Sequence, residues 1–337
     1  MRLGVIGATG LVGRRMVAVL DRSGLPLATL QLWATERGAG ETIPFGGEKI
    51  RVDAWEESAA GEIDVALLAT KSDVSRALAP RLAAAGVIVV DNSRAFRMQP
   101  DVPLIVPEVN AAALAEHSGI IANPNCSTIQ LAVALQPLQA AAGLARVVVA
   151  TYQSVSGAGR TGLQALREEC VGKVVEASPF PHPIHGNVIP QCDDFIEEGW
   201  TREEWKLQVE TRKILALPDL DIAATCARVP VAVGHSEAVT VDLQRPLTPG
   251  EARRLWHAAP GVVVEDDPAR NIYPLARTVT DRDEVFIGRI RCDAQRPQTL
   301  HFWVVADNLL KGAAGNAVEI VAALLEGRAA AAGGGGS

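Results

Sequence analysis

Asn123-Pro124-Asn125-Cys126-Ser127-Thr128 interrupts a short β-branched run and opens an apolar helical stretch, Ile129 to Ala141. A thiol in the first turn of a helix meets unsatisfied N–H groups and the positive end of the dipole, which can lower a cysteine pKa from about 8.5 into the range of roughly 3.5–7.5. Cys126 is therefore a candidate nucleophile. The same N–H groups, with the Asn125 amide, suit an oxyanion on a carbonyl that the sulfur attacks. A cysteine elsewhere is more often a small packing residue, which is the reading for Cys170, Cys192, Cys226 and Cys292. Five cysteines at irregular spacing, with no Cys-x-x-Cys pair, predict free thiols and no metal site.

A second constellation, Gly7-Ala8-Thr9-Gly10-Leu11-Val12-Gly13, follows the apolar run Leu3 to Ile6 and enters the helical pattern Leu11 to Leu20. Small residues at a strand-to-helix turn let main-chain N–H groups approach a pyrophosphate, so a dinucleotide is the expected ligand. The spacing is G-x-x-G-x-x-G, and a tight turn without a ligand would read the same way. After the next run, Leu30 to Trp33, stands Thr35-Glu36-Arg37-Gly38. Thr35 and Arg37 could hold the 2′-phosphate of NADP, whereas Glu36 could bind the ribose hydroxyls of NAD; the residues favour NADP.

Short apolar runs alternate with helical patterns through the first part of the chain, including Val65 to Leu68, Val87 to Val90 and Gly119 to Ala122, with a helix at Asp73 to Ala85. Continuous apolar strands suit a parallel sheet covered on both faces. Longer alternating strands follow: Arg146 to Val155, Ile222 to Val231, Ala238 to Leu243, Glu284 to Cys292 and Leu300 to Ala306. Those predict a sheet with one open face. The fold class is thus α/β, a Rossmann-like doubly wound parallel sheet with a second α+β domain. A last amphipathic helix spans Gly312 to Leu325, and 329–337 reads as a flexible tail.

The chain has 337 residues, 48% hydrophobic and 21% charged, with a formal charge of −7. That balance excludes disorder, and the acidic sum without any basic block argues against nucleic acid or an anionic membrane as partner. No run approaches a bilayer span, and a strand so close to Met1 leaves no space for a signal peptide, so a cytoplasmic protein is expected.

Gly7 to Gly13, Asp91-Asn92-Ser93-Arg94-Ala95-Phe96-Arg97, Val106-Pro107-Glu108-Val109-Asn110, Pro124 to Thr128, Gln153 to Gly159, Glu210 to Leu215, Arg228-Val229-Pro230-Val231 and Gly234-His235-Ser236-Glu237 together resemble the bacterial type of aspartate-semialdehyde dehydrogenase. The resemblance implies NADPH-dependent reduction of 4-phospho-L-aspartate to L-aspartate 4-semialdehyde, with release of phosphate, on the route to lysine, threonine and methionine. It gives Cys126 the role of thioester-forming nucleophile, His235 that of acid/base and Gln153 that of orienting the substrate. Arg228 would grip the substrate carboxylate and Glu203 its amine, while Lys206 and Arg97 would hold phosphate. Ser156, Gly157 and Gly159 would lie near the nicotinamide, and Asn316 would also contact the cofactor. Residues 1–128 with about 308–328 would bind NADP. Residues 129–307 would form the catalytic and dimerisation domain of a homodimer, with pairing of dimers into tetramers left open.

Three positions depart from the family pattern: Gly38 and Arg94 where serine is common, and Leu310 where arginine is usual. Two rivals remain: an N-acetyl-glutamyl-phosphate reductase-like enzyme, whose cysteine sits in a different setting, and a non-catalytic dinucleotide-binding homologue.

Overall fold

The computed structural model describes residues 1–333, with side chains through 327. In chain order the elements are β1 (Arg2–Ile6), α1 (Leu11–Ser23), β2 (Thr29–Ala34), β3 (Thr42–Phe45), β4 (Glu48–Ala54), β5 (Val65–Leu68), α2 (Ser72–Ala84), β6 (Ile88–Asp91), α3 (Pro107–Asn110), β7 (Ile120–Ala122), α4 (Cys126–Ala142), β8 (Leu144–Gln153), α5 (Gly159–Cys170), α6 (Arg202–Leu215), β9 (Asp221–Arg228), β10 (His235–Leu243), α7 (Pro249–Ala258), β11 (Val262–Val264), α8 (Ala276–Val279), β12 (Val285–Cys292), β13 (Thr299–Ala306) and α9 (Asn316–Gly333). They form two compact units, residues 1–124 with 313 onward, and Asn125–Gly312. The seams lie a few residues from the sequence expectation because Asn125 and Cys126 begin α4, which is buried along most of its length within the second unit.

The first unit is a seven-stranded sheet in the order β3-β4-β2-β1-β5-β6-β7. All neighbours pair in parallel except β3, which forms a hairpin on β4 through Gly46 and Gly47. This hairpin is absent from the sequence expectation: β3 is only four residues long and contains Pro44, and the alternation along β4 rests on Ile50, Val52 and Ala54, of which only Val52 is fully buried. Strand order reverses at β1, the place where doubly wound sheets bind ligands at their carboxyl ends. Val65–Leu68 is buried at every position, as a strand covered on both faces must be.

The turn after β1 needs its glycines. Gly7 has φ +90°, and a Cβ there would lie 2.4 Å from the Ala69 carbonyl oxygen. A Cβ on Gly13 would lie 2.2 Å from the Gly7 carbonyl oxygen, so α1 could not seat against the turn.

The second unit carries a six-stranded mixed sheet in the order β11-β12-β13-β10-β8-β9. Burial alternates along β8 and β9, as expected for a sheet with one covered and one open face. Trp256 of α7 anchors the covered side by stacking on Phe302 at 4.9 Å and donating to the Ala134 carbonyl of α4 at 2.8 Å. Helix α9 returns to the first unit and runs on through Gly333, so 329–333, expected as flexible tail, is helical; an alanine run is the strongest intrinsic helix former. The rest of that tail, 334–337, lies outside the described residues. Among the described residues no helix is long and apolar enough to cross a membrane.

Candidate active site

Cys126 is the first residue of α4, with Asn125 as N-cap. No side chain caps this end, so its first-turn N–H groups are left for other partners. The Cys126 thiol is half-buried, 3.8 Å from Asn125 Oδ1, and a Cβ on Gly312 would lie 2.8 Å from Cys126 Cβ. Asn125 itself is locked. Its main-chain N–H donates to Glu210 Oε2 at 2.7 Å and its Nδ2 to Glu203 Oε1 at 2.8 Å.

Glu203 and Lys206 enter from α6, which begins with a capping box: Thr201 Oγ1 accepts from the Glu204 N–H, and Glu204 Oε2 accepts from the Thr201 N–H at 2.7 Å. The other Glu204 oxygen accepts from the Cys226 N–H at 3.0 Å and ties α6 to β9. The first turn is thereby fixed, with Glu203 and Lys206 on one side. Glu203 Oε1 also accepts from Gln153 Nε2 at 3.0 Å, and Oε2 pairs with Lys206 at 2.5 Å. Burial alone would raise the pKa of Glu203, but the Lys206 charge and hydrogen bonds from Lys206, Asn125 and Gln153 bring it down to about 2. Gln153 ends β8, and its second Nε2 hydrogen goes to Ser127 Oγ at 2.8 Å.

Arg228 ends the neighbouring strand β9. Its Nη1 donates to the Ser154 carbonyl at 2.8 Å, its guanidinium lies 5.9 Å from the Phe180 ring centre, and no carboxylate pairs with it among the described residues. A buried guanidinium with unused donors suits an anion arriving from outside. Gly157 lies against it: a Cβ there would be 2.7 Å from Arg228 Nη1 and 3.4 Å from His235 Nε2. Gly157→Ala should displace the guanidinium and raise the substrate KM by roughly tenfold, the loss of about one charge-assisted hydrogen bond; steady-state kinetics showing an unchanged KM would refute this contact.

His235 opens β10 and is fully buried. Burial first and then the Arg228 charge push its pKa down to about 3, against Glu203 and the Gly234 main chain. Two residues further along β10, burial pushes the Glu237 carboxyl well above its ordinary 4.5, opposed by Gln130 and reinforced by Glu203. A carboxyl whose pKa rises on folding gives stability that is complete below the unfolded value and lost as pH climbs toward the folded value. Glu237→Gln should therefore raise Tm relative to the parent at about pH 8 and leave it nearly unchanged at about pH 4. A thermal-melt difference independent of pH would contradict a protonated Glu237.

Asn125, Cys126, Gln153, Gly157, Glu203, Lys206 and Arg228 line one cavity of about 450 Å³. Other lining residues, Asp193 and Phe180 among them, escaped the sequence reading. Asp193 holds Lys206 Nζ at 3.0 Å from a left-handed backbone, φ +68°, and Phe180 comes from the irregular segment between α5 and α6. Neither carries a periodic signal, since irregular backbone brings them there.

In the first unit, Gly7 and Ala8 donate to the Trp33 carbonyl at 2.8 and 3.0 Å and Gly10 to the Gly7 carbonyl at 3.0 Å, so these residues shape the turn. The start of α1, Leu11 to Gly13, has no side-chain cap and no acidic residue, which fits a pyrophosphate. Thr35 and Arg37 are exposed beside it. Gly38 packs so closely that a Cβ would lie 2.7 Å from Thr9 Oγ1 and 2.9 Å from Ala34 Cβ, so a larger residue would crowd this turn. Asn316 donates to the Ile105 carbonyl and Asn123 Oδ1 at 2.9 and 2.6 Å, while its buried Oδ1 has no partner, an acceptor suited to a carboxamide N–H. Arg97 follows β6 and donates to the Ser93 and Asn92 carbonyls at 3.1 and 3.0 Å. In the second unit, Ser156 is buried in hydrogen bonds to Asn308, and Gly159 starts α5 at φ +77°.

Comparison with known proteins agrees with both units. Residues 2–117 match the family Semialdehyde dehydrogenase, NAD binding domain, and residues 135–311 match Semialdehyde dehydrogenase, dimerisation domain. The aspartate-semialdehyde dehydrogenase of Aquifex aeolicus is 46% identical over 96% of this chain and 98% of its own. A crystal structure of aspartate semialdehyde dehydrogenase II from Vibrio cholerae, complexed with ASA, superposes with a TM-score of 0.93 at 40% identity, covering 96% of this chain and 98% of that one. The enzyme from Candida albicans, crystallised with NADP, gives 0.73 at 26% over 96% and 98%. With a glycine-turn nucleotide unit, a cysteine at a helix start and relatives matched nearly end to end, this chain belongs to the aspartate-semialdehyde dehydrogenase family.

Proposed function

We propose that the protein reduces 4-phospho-L-aspartate to L-aspartate 4-semialdehyde with NADPH and releases phosphate. The observation that carries this reading is a first-turn cysteine in a cavity that also holds a carboxylate-seeking Arg228 and a cationic Lys206. The Cys126 thiolate attacks the acyl-phosphate carbon, the C–O bond breaks, and phosphate leaves with the electron pair. A thioester on Cys126 remains. Bound NADPH supplies the hydride that reduces it. The resulting oxyanion collapses, the C–S bond breaks, and the aldehyde departs as the thiolate is restored. His235 lends that oxygen a proton as the tetrahedral adduct forms and takes it back before the collapse.

Arg228 grips the substrate carboxylate with the donors that Ser154 does not use, and Lys206 attracts the phosphoryl group. Gln153 has spent both amide hydrogens, so its oxygen is the atom that meets the substrate. Glu203 is the site's carboxylate for the substrate amine. Its oxygens also hold Asn125, Gln153 and Lys206, which makes it a positioning group as well. Exposed Arg37 supports NADP over NAD, and the Candida albicans relative was crystallised with NADP.

The deciding assay runs in reverse: formation of reduced cofactor from aspartate semialdehyde, with and without phosphate, using NADP or NAD. A phosphate-dependent signal greater with NADP supports the whole reading. No phosphate dependence rejects it, and an equal rate with NAD rejects the cofactor assignment alone.

The second unit also supports a homodimer. Val148 and Tyr152 are 39% and 38% exposed on the open face of its sheet, and Tyr152 stacks on Trp303 at 5.4 Å. Light scattering should give twice the 35.6 kDa chain mass, and Val148→Glu should give a monomer. A parent protein that runs as a monomer would refute this interface.

A further inference from the structure

Behind the cavity one buried side chain ties three segments together at His235. Asn308 is 3% exposed. Its Oδ1 accepts from Ser154 Oγ at 3.0 Å, Ser156 Oγ at 3.1 Å and the Gly234 N–H at 2.9 Å, and its Nδ2 donates to Ser156 Oγ at 3.0 Å. Ser154 meets His235 twice. Its main-chain N–H donates to Nδ1 at 3.1 Å, and its hydroxyl lies 3.1 Å from the same nitrogen. A main-chain N–H can only donate, so Nδ1 keeps its lone pair in this arrangement and the ring proton sits on Nε2. Nε2 is buried without a partner, close to Gly157 at the cavity edge.

This arrangement conflicts with proton exchange at Nε2. To accept a proton there, the ring must first carry its hydrogen on Nδ1, and the imidazolium that results carries one on both nitrogens. In both states Nδ1–H needs an acceptor. The Ser154 main chain cannot be one. The Ser154 hydroxyl can when its own hydrogen goes to Asn308 Oδ1 at 3.0 Å and not to Ser156 Oγ at 3.1 Å, because a lone pair is then left for the ring.

We propose that Asn308, acting through the Ser154 hydroxyl, is the positioning residue that allows His235 to hold a proton during turnover. The inference rests on the reading of His235 as the acid/base. No proton leaves the ring through Ser154: the hydroxyl keeps donating to Asn308 while Nδ1–H donates to its oxygen, and the transferred proton moves only between Nε2 and the substrate oxygen. The charged groups that act on the ring are Arg228 from β9, which disfavours the imidazolium, and Glu203 from α6, which favours it. The Ser154–Asn308 pair is neutral, so it supplies an acceptor without fixing the charge of the ring.

Two variants of the full-length enzyme test this. Asn308→Asp keeps an oxygen for Ser154 and Gly234 and adds a negative charge behind the hydroxyl. Histidine ¹⁵N spectra should then show the His235 titration at higher pH, with the acid limb of kcat moving the same way. Ser154→Ala removes the hydroxyl and keeps the main-chain N–H. It should lower kcat by roughly 10²-fold, the lower end of what a positioned acid–base group contributes, with KM for aspartate semialdehyde little changed. An inactive His235→Ala, together with an Asn308→Asp profile that superposes on the parent's or a Ser154→Ala enzyme at parental kcat, overturns the inference alone. An active His235→Ala overturns the reading beneath it.

Discussion

Cys126→Ala should lower turnover by at least about 10⁴-fold, since removal of a covalent nucleophile leaves only binding and polarisation. The substitution is structurally mild. Cys126 is half-buried at the start of α4, its sulfur lies 3.8 Å from Asn125 Oδ1, and alanine is a better helix former than cysteine. Thermal stability should therefore be nearly unchanged. NADP affinity should also survive, because the uncapped start of α1 belongs to the other unit. Mass spectrometry of the parent enzyme, quenched during turnover, should place an aspartyl adduct on Cys126 and on no other cysteine. An adduct elsewhere, or an alanine variant that still turns over, would remove the thioester from the mechanism.

The second large effect is expected at Arg228. One guanidinium nitrogen already serves the Ser154 carbonyl at 2.8 Å, and the remaining donors keep the planar fork that matches a carboxylate. Lysine offers one ammonium for both tasks. Arg228→Lys should lose at least one charge-assisted hydrogen bond, about 1.5–3 kcal/mol, which lowers kcat/KM by roughly 10- to 10²-fold. The loss should fall on KM for aspartate semialdehyde and on kcat, and leave KM for NADP unchanged. Kinetics equal to the parent's would show that another group carries carboxylate recognition.

Much of the scaffold could be read from the residues. The run Val65–Leu68 of the first sheet is unbroken by polar residues because both faces are covered there, and the alternation along β8 and β9 appears because one face of the second sheet is open. The β3–β4 hairpin stayed hidden because β3 is four residues long with a proline inside it and the alternation along β4 covers three residues, Ile50, Val52 and Ala54. At the site, Cys126 announced itself through the helix it begins, whereas Glu203 and Lys206 entered only through the family resemblance. Asp193 could not be found that way, because it reaches Lys206 through a left-handed backbone within an irregular segment. Asn308 carries no local signal, because its tie to His235 joins segments far apart in the chain.

The carboxylate of Glu203 joins the amides of Asn125 and Gln153 to the ammonium of Lys206, which Asp193 also holds. Selection in the laboratory for altered substrate preference will find little tolerance there, because any single replacement leaves several buried partners unsatisfied at once. Freedom to vary lies instead at Pro179 and Pro181, which are exposed and border the same space from irregular backbone. Libraries confined to that rim should yield folded, active descendants, while libraries on α6 should yield mostly dead ones.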